Sequence, residues 1–321
     1  MILAGDIGGT NTRLAFFDGP HPHEIEVYPS AKYPTLAAIV REYLDKHGRQ
    51  IEAACFGIAG PVRNGRVEAT NLPWTIHAGE LAADLSVKDL RLLNDLEANA
   101  HGIAALEEPD FALLREGECD PSGNRALISA GTGLGEAGLL ATAGLHVPFA
   151  SEGGHADFAP RNGTEVALFE YLNQRYGHVS YERVLSGPGL LNIYHFFRDT
   201  HRAEEPATLA EEIAAGDPAA AIARNAEKHQ LCAMSLDLFA GVYGAEAGNL
   251  ALRMLATGGV YLGGGIAPKM LAKLGEPAFL RAFDQKGRVT KLLESIPVRV
   301  ILNDKTALIG AGRVALGAGR G

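Results

Sequence analysis

Cysteine, basic clusters and long apolar runs are scarce in this sequence of 321 residues. Cys55, Cys119 and Cys232 lie far apart and form no C-x-C or C-x-x-C pair, which argues against a disulfide framework or a structural zinc site. The net charge is −9 without any Lys/Arg cluster, so a nucleic-acid-binding function is not expected. No run of 18 apolar residues and no signal-peptide pattern is visible. We therefore expect a reduced cytoplasmic protein without a membrane partner.

Glycine, by contrast, is abundant. The chain has 39 glycines, against a usual share of about 7% of residues. Such an excess is typical of tight turns and of places where backbone approaches a ligand closely. The length corresponds to roughly two domains of ordinary size, and a looser acidic stretch at residues 107–123 suggests the boundary between them.

The first half of the sequence reads as strands and helices in alternation. Thr35 has N-cap chemistry for an amphipathic helix that Gly48 ends. A further helical segment is expected at residues 96–105. Apolar runs predict strands at residues 2–6, 13–17, 24–28, 53–59 and 90–93.

The second half repeats the opening pattern of strand, Gly/Thr turn and strand, which we interpret as a faint architectural repeat. Strands are expected at residues 126–130, 137–141, 259–262 and 298–302, and helices at residues 164–176, 189–198 and 307–316. Asp217-Pro218 has the chemistry of a helix start. We expect it to open a long helical tract to about residue 256, interrupted near residues 241–244.

Two Gly/Thr turns carry the strongest chemical signal. Gly8-Gly9-Thr10-Asn11 and Gly131-Thr132-Gly133-Leu134-Gly135 each join two expected strands. Such turns expose backbone N–H groups that can surround phosphate oxygens. Neither turn is a Walker A loop or a dinucleotide fingerprint. A single turn would read as an ordinary hairpin, but two in corresponding places favour a nucleotide clamp, with Asp6 holding Mg²⁺ through water.

Asn94-Asp95 follows an expected strand, a position from which a carboxylate can project into a cleft. Asp95 could act as a general base, and Asn94 could bind the same substrate. Capping of the next helix is an equally good interpretation of this pair by itself.

Glu152 and His155 flank Gly153-Gly154, which lets both side chains approach one small polar ligand. Carboxylate and imidazole groups suit neutral sugars, whose hydroxyls both donate and accept. The alternatives are a surface turn and an ordinary polar histidine. Glu182 by itself reads as a solvated or helix-terminal glutamate. Trp74 is equally compatible with a cleft wall and with the core.

Whole segments of the chain resemble the bacterial ATP-dependent glucokinase family, within the superfamily of sugar kinases, actin and heat-shock chaperones. The two Gly/Thr turns and residues 262–266 resemble its phosphate and adenosine loops. The family is indicated more narrowly by residues 70–74, 94–95, 152–160 and 177–189, which match it in order. The resemblance covers essentially the whole chain. The cysteine-rich zinc motif typical of the related ROK family does not follow His155, and only five residues precede Asp6, so a helix-turn-helix repressor is not expected.

The resemblance implies an α/β protein with the two-domain actin-like ATPase (ribonuclease H-like) fold and an interdomain cleft. It implies a small domain of residues 1–105 plus 296–321, a large domain of residues 106–295, and a homodimer. Asp95 would be the catalytic base, and the groups on glucose would be Asn71, Asn94, Asp95, Glu152, His155 and Glu182. The groups on MgATP would be Gly5, Asp6, Ile7, Gly8, Gly9, Thr10, Asn11, Gly131, Thr132, Gly133, Gly264 and Gly265.

The activity implied is transfer of the γ-phosphoryl group of ATP to the 6-hydroxyl of D-glucose, the first step of glucose use in glycolysis. A kinase of another hexose could use the same ligands. ADP or polyphosphate could replace ATP as donor. A sugar-binding regulator without turnover is a third hypothesis, against which the sequence retains Asp95 and the phosphate-loop glycines.

Overall fold

The computed structural model describes residues 1–317, so the last four residues of the expected segment 296–321 lie outside it. The chain divides into two compact units. The first unit comprises Met1–Asp110, Leu145–Ala150 and the described residues from Asn303 onward. The second comprises Phe111–Gly144 and Ser151–Leu302. The functional domain boundaries expected from the sequence stay a prediction.

Within residues 1–317, most strands lie before residue 152 and most helices after residue 162. The strands are β1 (Ile2–Ile7), β2 (Asn11–Phe17), β3 (His23–Pro29), β4 (Ala53–Ile58), β5 (Arg66–Glu68), β6 (Thr75–His77), β7 (Asp89–Asn94), β8 (Phe111–Arg115), β9 (Arg125–Ala130), β10 (Leu134–Thr142), β11 (Leu145–Ser151), β12 (Val260–Gly263) and β13 (Val298–Ile301). The helices are α1 (Leu36–His47), α2 (Ala78–Asp84), α3 (Asp95–Ile103), α4 (Gly163–Tyr176), α5 (Gly187–Asp199), α6 (Ala207–Ala215), α7 (Pro218–Arg224), α8 (Gln230–Met254), α9 (Ile266–Lys269), α10 (Leu271–Leu274), α11 (Pro277–Asp284), α12 (Thr290–Ser295) and α13 (Thr306–Ala315).

The first unit is built on a sheet with the strand order β3-β2-β1-β4-β7. β1 pairs antiparallel with β2 and parallel with β4, which pairs parallel with β7. The carboxyl ends of β1, β4 and β7 therefore meet at one edge of the sheet, where ligands of open α/β sheets usually bind. The predicted cap of α1 is confirmed, because Thr35 Oγ1 accepts from Ala38 N at 3.2 Å. Gly48 ends α1 with a left-handed φ of 61°.

Helices α3 and α13 approach each other through glycine. A Cβ on Gly310 of α13 would lie 1.8 Å from the carbonyl oxygen of Ala98, and a Cβ on Gly102 of α3 would lie 2.1 Å from the carbonyl oxygen of Thr306. Ala98 also packs over Gly57 of β4, where a Cβ would lie 2.7 Å from the Ala98 Cβ. These contacts hold the helix that begins at Asp95 against the sheet.

The second unit repeats the arrangement of the first. Its strands follow the order β10-β9-β12-β13-β8. β9 pairs antiparallel with β10 and parallel with β12, and β12 pairs parallel with β13. Each unit thus begins its sheet with an antiparallel hairpin joined by a Gly/Thr turn, followed by parallel strands. This is the architectural repeat that the sequence indicates.

The predicted long helix is wrong in where it breaks. α7 ends at Arg224, and α8 runs without interruption from Gln230 to Met254. The glycines expected to break it are packing positions instead. A Cβ on Gly244 would lie 2.1 Å from the carbonyl oxygen of Phe279, and one on Gly248 would lie 2.5 Å from that of Phe283. α11 can therefore pack closely against α8, a contact that a single-helix pattern does not reveal.

The stretch at residues 107–123 is less irregular than expected, because β8 lies within it. β8 pairs antiparallel with β13 at the edge of the second sheet. None of its five residues is fully buried, and it shows no alternation of apolar and polar residues, so its run of four apolar residues was only an ambiguous strand signal. Within residues 1–317, no helix combines the length and the apolar character that crossing a membrane requires.

Gly310→Ala tests the close approach of α3 and α13. The added methyl group would collide with the Ala98 carbonyl, so we expect the free energy of unfolding to fall by about 1–3 kcal/mol, as for other overpacked sites. Urea unfolding monitored by circular dichroism measures it.

Gly79→Ala is the matched control. Gly79 lies in α2 of the same unit, and a Cβ there would meet no atom within 4 Å. Alanine in an unobstructed helix should leave stability unchanged or raise it by about 0.5–1 kcal/mol. Equal effects of the two substitutions would contradict the packing argument.

Candidate active site

The first Gly/Thr turn joins β1 to β2 and is fixed by its own backbone and by Ser30. Gly8 N donates to Asn11 O at 2.9 Å, and Ser30 Oγ donates to Gly8 O at 2.7 Å. Thr10 and Asn11 are exposed. Gly9 lies against Asn71, since a Cβ on Gly9 would lie 2.5 Å from the Asn71 Cβ. Asn71 therefore lies next to this turn, which is the first expected phosphate loop.

Two residues of the predicted nucleotide set, Gly5 and Ile7, are buried in the interior of the first unit. The space around Gly5 is filled by Phe56 and Leu14, whose side chains would lie 2.6 and 2.9 Å from a Cβ on Gly5. Ile7 is 1% exposed and its side chain belongs to the core. Trp74 is buried in the same core, so its core interpretation is the correct one. Ile7 could contact a nucleotide only through its backbone.

Asp6 lies near the carboxyl end of β1, between opposite charges. Burial raises the pKa of its carboxyl group to about 6, Arg13 opposes the shift, and Asp304 adds to it. Arg13 Nη2 donates to Asp304 Oδ2 at 2.8 Å. Asp304, which follows β13, was missed by the sequence analysis, although a carboxylate soon after an apolar strand is a recognisable signal.

Asn94 and Asp95 lie where β7 gives way to α3. Asn94 Oδ1 accepts from Leu96 N at 2.9 Å, and Asn94 Nδ2 donates to Gly60 O at 3.1 Å. Asp95 Oδ1 also accepts from Leu96 N at 2.9 Å. The capping interpretation is therefore correct for Asn94. It does not exclude the functional one, because the helix N-terminus also favours the negative charge of the Asp95 carboxylate at this place.

The second Gly/Thr turn joins β9 to β10 and is held by Glu182. Glu182 Oε2 accepts from Leu134 N at 3.0 Å. The same oxygen would lie 2.5 Å from a Cβ on Gly133. Gly187 N donates to Gly131 O at 2.8 Å, which ties the start of α5 to the turn. Glu182 is therefore a structural partner of the turn as well as a candidate sugar ligand.

Three predicted sugar ligands of the second unit lie together. His155 Nδ1 lies 3.9 Å from Glu182 Oε1, and His155 Nε2 lies 4.0 Å from Glu152 Oε2. The side chains of Glu152 and His155 are each 61% exposed. Gly153–His155 forms a short 3-10 turn packed on β10, and a Cβ on Gly154 would lie 2.0 Å from Leu134 O. The turn presents a compact group of two carboxylates and one imidazole.

An apolar cavity of about 580 Å³ opens in the second unit beside the Gly/Thr turn. It collects Gly131, Thr132 and Gly265 of the predicted nucleotide set. Gly264 lies close by in the fold. Its φ is 79°, and a Cβ there would lie 2.4 Å from Ala130 O. Residues of the wall that the sequence analysis missed include Pro188, Asp217, Ala219, Lys269 and Met270.

Part of the cavity wall was missed because it lies at the start of α7. Asp217-Pro218 was interpreted only as a helix start, which is confirmed, since Asp217 Oδ1 accepts from Ala220 N at 3.2 Å. Nothing in the local pattern shows that this helix start also borders a cavity. Within residues 1–317, no group of three or more His, Cys, Asp or Glu residues is arranged to hold a metal ion by itself.

Comparison with known proteins gives a consistent match. A family model described as "Glucokinase" matches residues 3–318. A glucokinase of Nostoc sp. is 43% identical over 98% of both chains. A glucokinase of Salmonella typhi is 36% identical over 97% of this chain and 95% of its own.

Solved structures agree with this match. A glucokinase from an Antarctic psychrotroph superposes with a TM-score of 0.84 at 32% identity, covering 98% of both chains. A ROK-family glucokinase of Streptomyces griseus, solved with glucose and AMPPNP, has a TM-score of 0.68 at 19% identity, over 98% of this chain and 99% of its own. At that identity only the fold is comparable. The expected α/β actin-like ATPase fold is confirmed, and the chain belongs to the glucokinase family.

Proposed function

We propose that this protein transfers the γ-phosphoryl group of ATP to the 6-hydroxyl of D-glucose. The observation that carries the proposal is the family match over residues 3–318, supported by a relative that is 43% identical over 98% of both chains. The grouping of Glu152, His155 and Glu182 supports it chemically, because neutral sugars are recognised by groups that donate to and accept from hydroxyls.

For ATP we propose that the backbone donors of the two Gly/Thr turns bind the phosphates, and that adenosine enters the cavity of the second unit. Gly131 and Thr132 border that cavity at one end, and Gly265 and Lys269 form another part of its wall. Its lining is mainly apolar, which suits a purine base, and its volume of about 580 Å³ is within the range of nucleotide-sized pockets.

The residues around Asp6 fit a hard cation held through water. Asp6 and Asp304 supply carboxylate oxygens, which Mg²⁺ prefers. The Asp6 carboxyl group has a raised pKa in the absence of a cation, so a bound cation would favour its charged form. Mg²⁺ bound there would neutralise charge on the phosphates during transfer. We propose Asp6, assisted by Asp304, as the residues that hold it.

For catalysis we propose Asp95 as the general base. Its carboxylate would accept the proton of the 6-hydroxyl while the sugar oxygen bonds to the γ-phosphorus and the bond from that phosphorus to ADP breaks. Asn94 has both ends of its amide engaged in the cap and with Gly60. It would therefore act mainly by fixing the backbone at Asp95, with its remaining donor available to glucose.

The sugar ligands are proposed to be Asn71, Asn94 and Asp95 of the first unit with Glu152, His155 and Glu182 of the second. The division into a domain of residues 1–105 plus 296–321 and one of residues 106–295, the homodimer and the cytoplasmic location stay predictions. Size-exclusion chromatography with light scattering measures the oligomeric state.

A transcriptional regulator of the ROK family has the same fold, with a TM-score of 0.72 at 15% identity. Fold similarity at this level does not separate a kinase from a sugar-binding regulator. ADP release measured over a panel of hexoses and phosphoryl donors does. We expect turnover with glucose and ATP. A preference of about tenfold in kcat/KM for another hexose, or glucose binding without ADP release, would contradict the proposal.

Asp95→Asn tests the base. The amide cannot take a proton, so we expect kcat to fall by about 10²–10⁴-fold, with glucose binding and folding retained. Coupled ADP-release kinetics and glucose calorimetry measure the two effects. Asp89→Asn is the matched control, because Asp89 lies at the opposite end of the same strand, β7. Near wild-type turnover in Asp95→Asn would exclude Asp95 as the base.

Ala219→Phe tests the nucleotide cavity. Ala219 lies in its wall, so a phenyl ring there should raise the KM for ATP by about tenfold or more, which corresponds to at least about 1.4 kcal/mol of binding energy. The KM for glucose should stay unchanged. Ala214→Phe, on the exposed side of α6, is the control. An unchanged KM for ATP in Ala219→Phe would place adenosine elsewhere.

A further inference from the structure

A pair of glutamates is buried in the second unit, directly beneath the turn that carries Glu152 and His155. Glu136 of β10 is 1% exposed, and Glu246 of α8 is fully buried. A buried carboxylate is unfavourable unless it is paired or protonated. Neither residue belongs to the ligand sets proposed above.

The guanidinium group of Arg253 lies close to both carboxyl groups. Arg253 Nη2 donates to Glu246 Oε1, and the same nitrogen lies 3.7 Å from Glu136 Oε2. Asn249 Nδ2 donates to Glu246 Oε2 at 2.8 Å. The other oxygen of Glu136, Oε1, is buried without a hydrogen-bond partner among residues 1–317. Glu246 is therefore compensated as an anion, whereas Glu136 is not.

Glu136 is the member of the pair that holds a proton. Burial raises the pKa of its carboxyl group to about 8; the charge of Glu246 adds to the rise, and Arg253 opposes it. At neutral pH Glu136 is therefore mostly in its neutral form beside Glu246.

The Glu136 carboxyl group also touches the sugar-binding turn. A Cβ on Gly153 would lie 2.1 Å from Glu136 Oε2 and 2.9 Å from its Cδ. Gly153 N donates to Ser151 Oγ at 3.0 Å. The absence of a side chain at Gly153 therefore lets the turn rest directly on the buried carboxyl group.

The same network reaches the Glu182 segment. Asn249 Nδ2 lies 3.1 Å from Tyr181 Oη, and Tyr181 immediately precedes Glu182. Tyr181 N donates to Ala156 O at 3.0 Å, which joins that segment to the end of the turn. Any change in the charge of the pair would thus act on both segments that carry sugar ligands.

We propose that the protonated carboxyl group of Glu136 is a positioning group, which holds the Glu152–His155 turn in its glucose-binding form and releases it on ionisation. The inference rests on the proposed function, because it assigns glucose binding to this turn. An ionised Glu136 beside Glu246 would have to draw in water or move toward solvent. Because the Glu152–His155 turn covers the Glu136 carboxyl group, either change would displace the turn.

Other ionisable groups surround the pair. Glu246 and Arg253 face Glu136 from α8, Tyr181 lies on the far side of Glu246, and Glu152 and His155 are at the surface of the turn. Lys286 donates to Ala245 O and Asn249 Oδ1, and burial lowers its pKa to about 8. Because Lys286 would lose its charge over the same pH range, the test needs a variant of Glu136 itself.

Glu136→Gln supplies that variant, since its amide keeps a donor toward Glu246 and cannot ionise. For the wild type we expect the KM for glucose to rise about tenfold from pH 7 to pH 9, from a pKa of about 8, with kcat little changed. In Glu136→Gln the KM should stay flat. A flat wild-type profile, or the same rise in the variant, would overturn the proposal.

Glu165→Gln is the matched control. Glu165 is 1% exposed in the same unit and is paired with Arg161. Its replacement changes a buried glutamate without touching the Gly153 contact, so the alkaline rise in KM should persist. Loss of the rise in this control would show a general effect of buried charge, against the proposal.

Thermal unfolding separates this inference from the proposed function. The pKa of Glu136 is raised in the folded state, so the proton it holds stabilises the fold at low pH, and this contribution is lost as the pH rises from about 5 to about 8. The Tm of the wild type should therefore fall relative to that of Glu136→Gln over this range. Parallel Tm profiles would exclude a proton held by Glu136 in the folded protein. If the Tm profiles are as expected but the protein phosphorylates no hexose, the proposed function is refuted and the proton on Glu136 is not.

Discussion

The contact between α3 and α13 in the first unit allows backbone to touch backbone, and the position of Asp95 depends on it. Gly310 admits the Ala98 carbonyl, and Gly102 admits the Thr306 carbonyl. Because α3 begins at Asp95 and also packs over Gly57 of β4, the carboxylate is placed by a helix fixed on two sides. The proton transfer proposed for Asp95 would require such placement, since small displacements of a catalytic group cost large factors in rate. The glycine excess thus serves helix packing as well as ligand loops.

In the second unit the corresponding constraint is electrostatic. The proposed sugar-binding turn is exposed, but beneath it lie the buried carboxyl groups of Glu136 and Glu246, beside the partly exposed guanidinium of Arg253. Two carboxyl groups and one guanidinium can be accommodated there when one carboxyl group keeps its proton. The turn itself lacks the side-chain bulk to anchor its position, since Gly153 and Gly154 leave only backbone against β10. The hydrogen-bonded network below it supplies the rigidity that recognition of a small neutral ligand requires.

Local signals in the sequence predict the local parts of this structure. The cap at Thr35, the stop at Gly48 and both Gly/Thr hairpins depend on residues close together in the chain, and all are found in the structure. The continuity of α8 could not be predicted, because the role of Gly244 depends on α11, some thirty-five residues further along. The strand β8 was also difficult to predict, because its partner β13 is remote and its short apolar run does not alternate with polar residues. The fold itself was predicted by family resemblance, which depends on motifs such as residues 152–160 and not on periodic patterns.

In the candidate site, too, residues within recognisable motifs could be predicted, whereas most of those brought together only by folding could not. Glu152, His155 and Glu182 were selected from motifs, and they do lie together. Asp304 was missed although it soon follows an apolar strand, whereas Ala219 was missed because only the folded chain brings it to the cavity beside Gly131. Glu136 is the most instructive residue, since it follows a phosphate-loop pattern yet is buried against Glu246. Successive side chains of a strand point to opposite faces, so the Glu136 side chain on β10 can point away from the ligand side of the Gly/Thr turn. A protonated carboxyl group that follows the expected phosphate loop in the sequence therefore acts, by our inference, on the proposed sugar-binding turn.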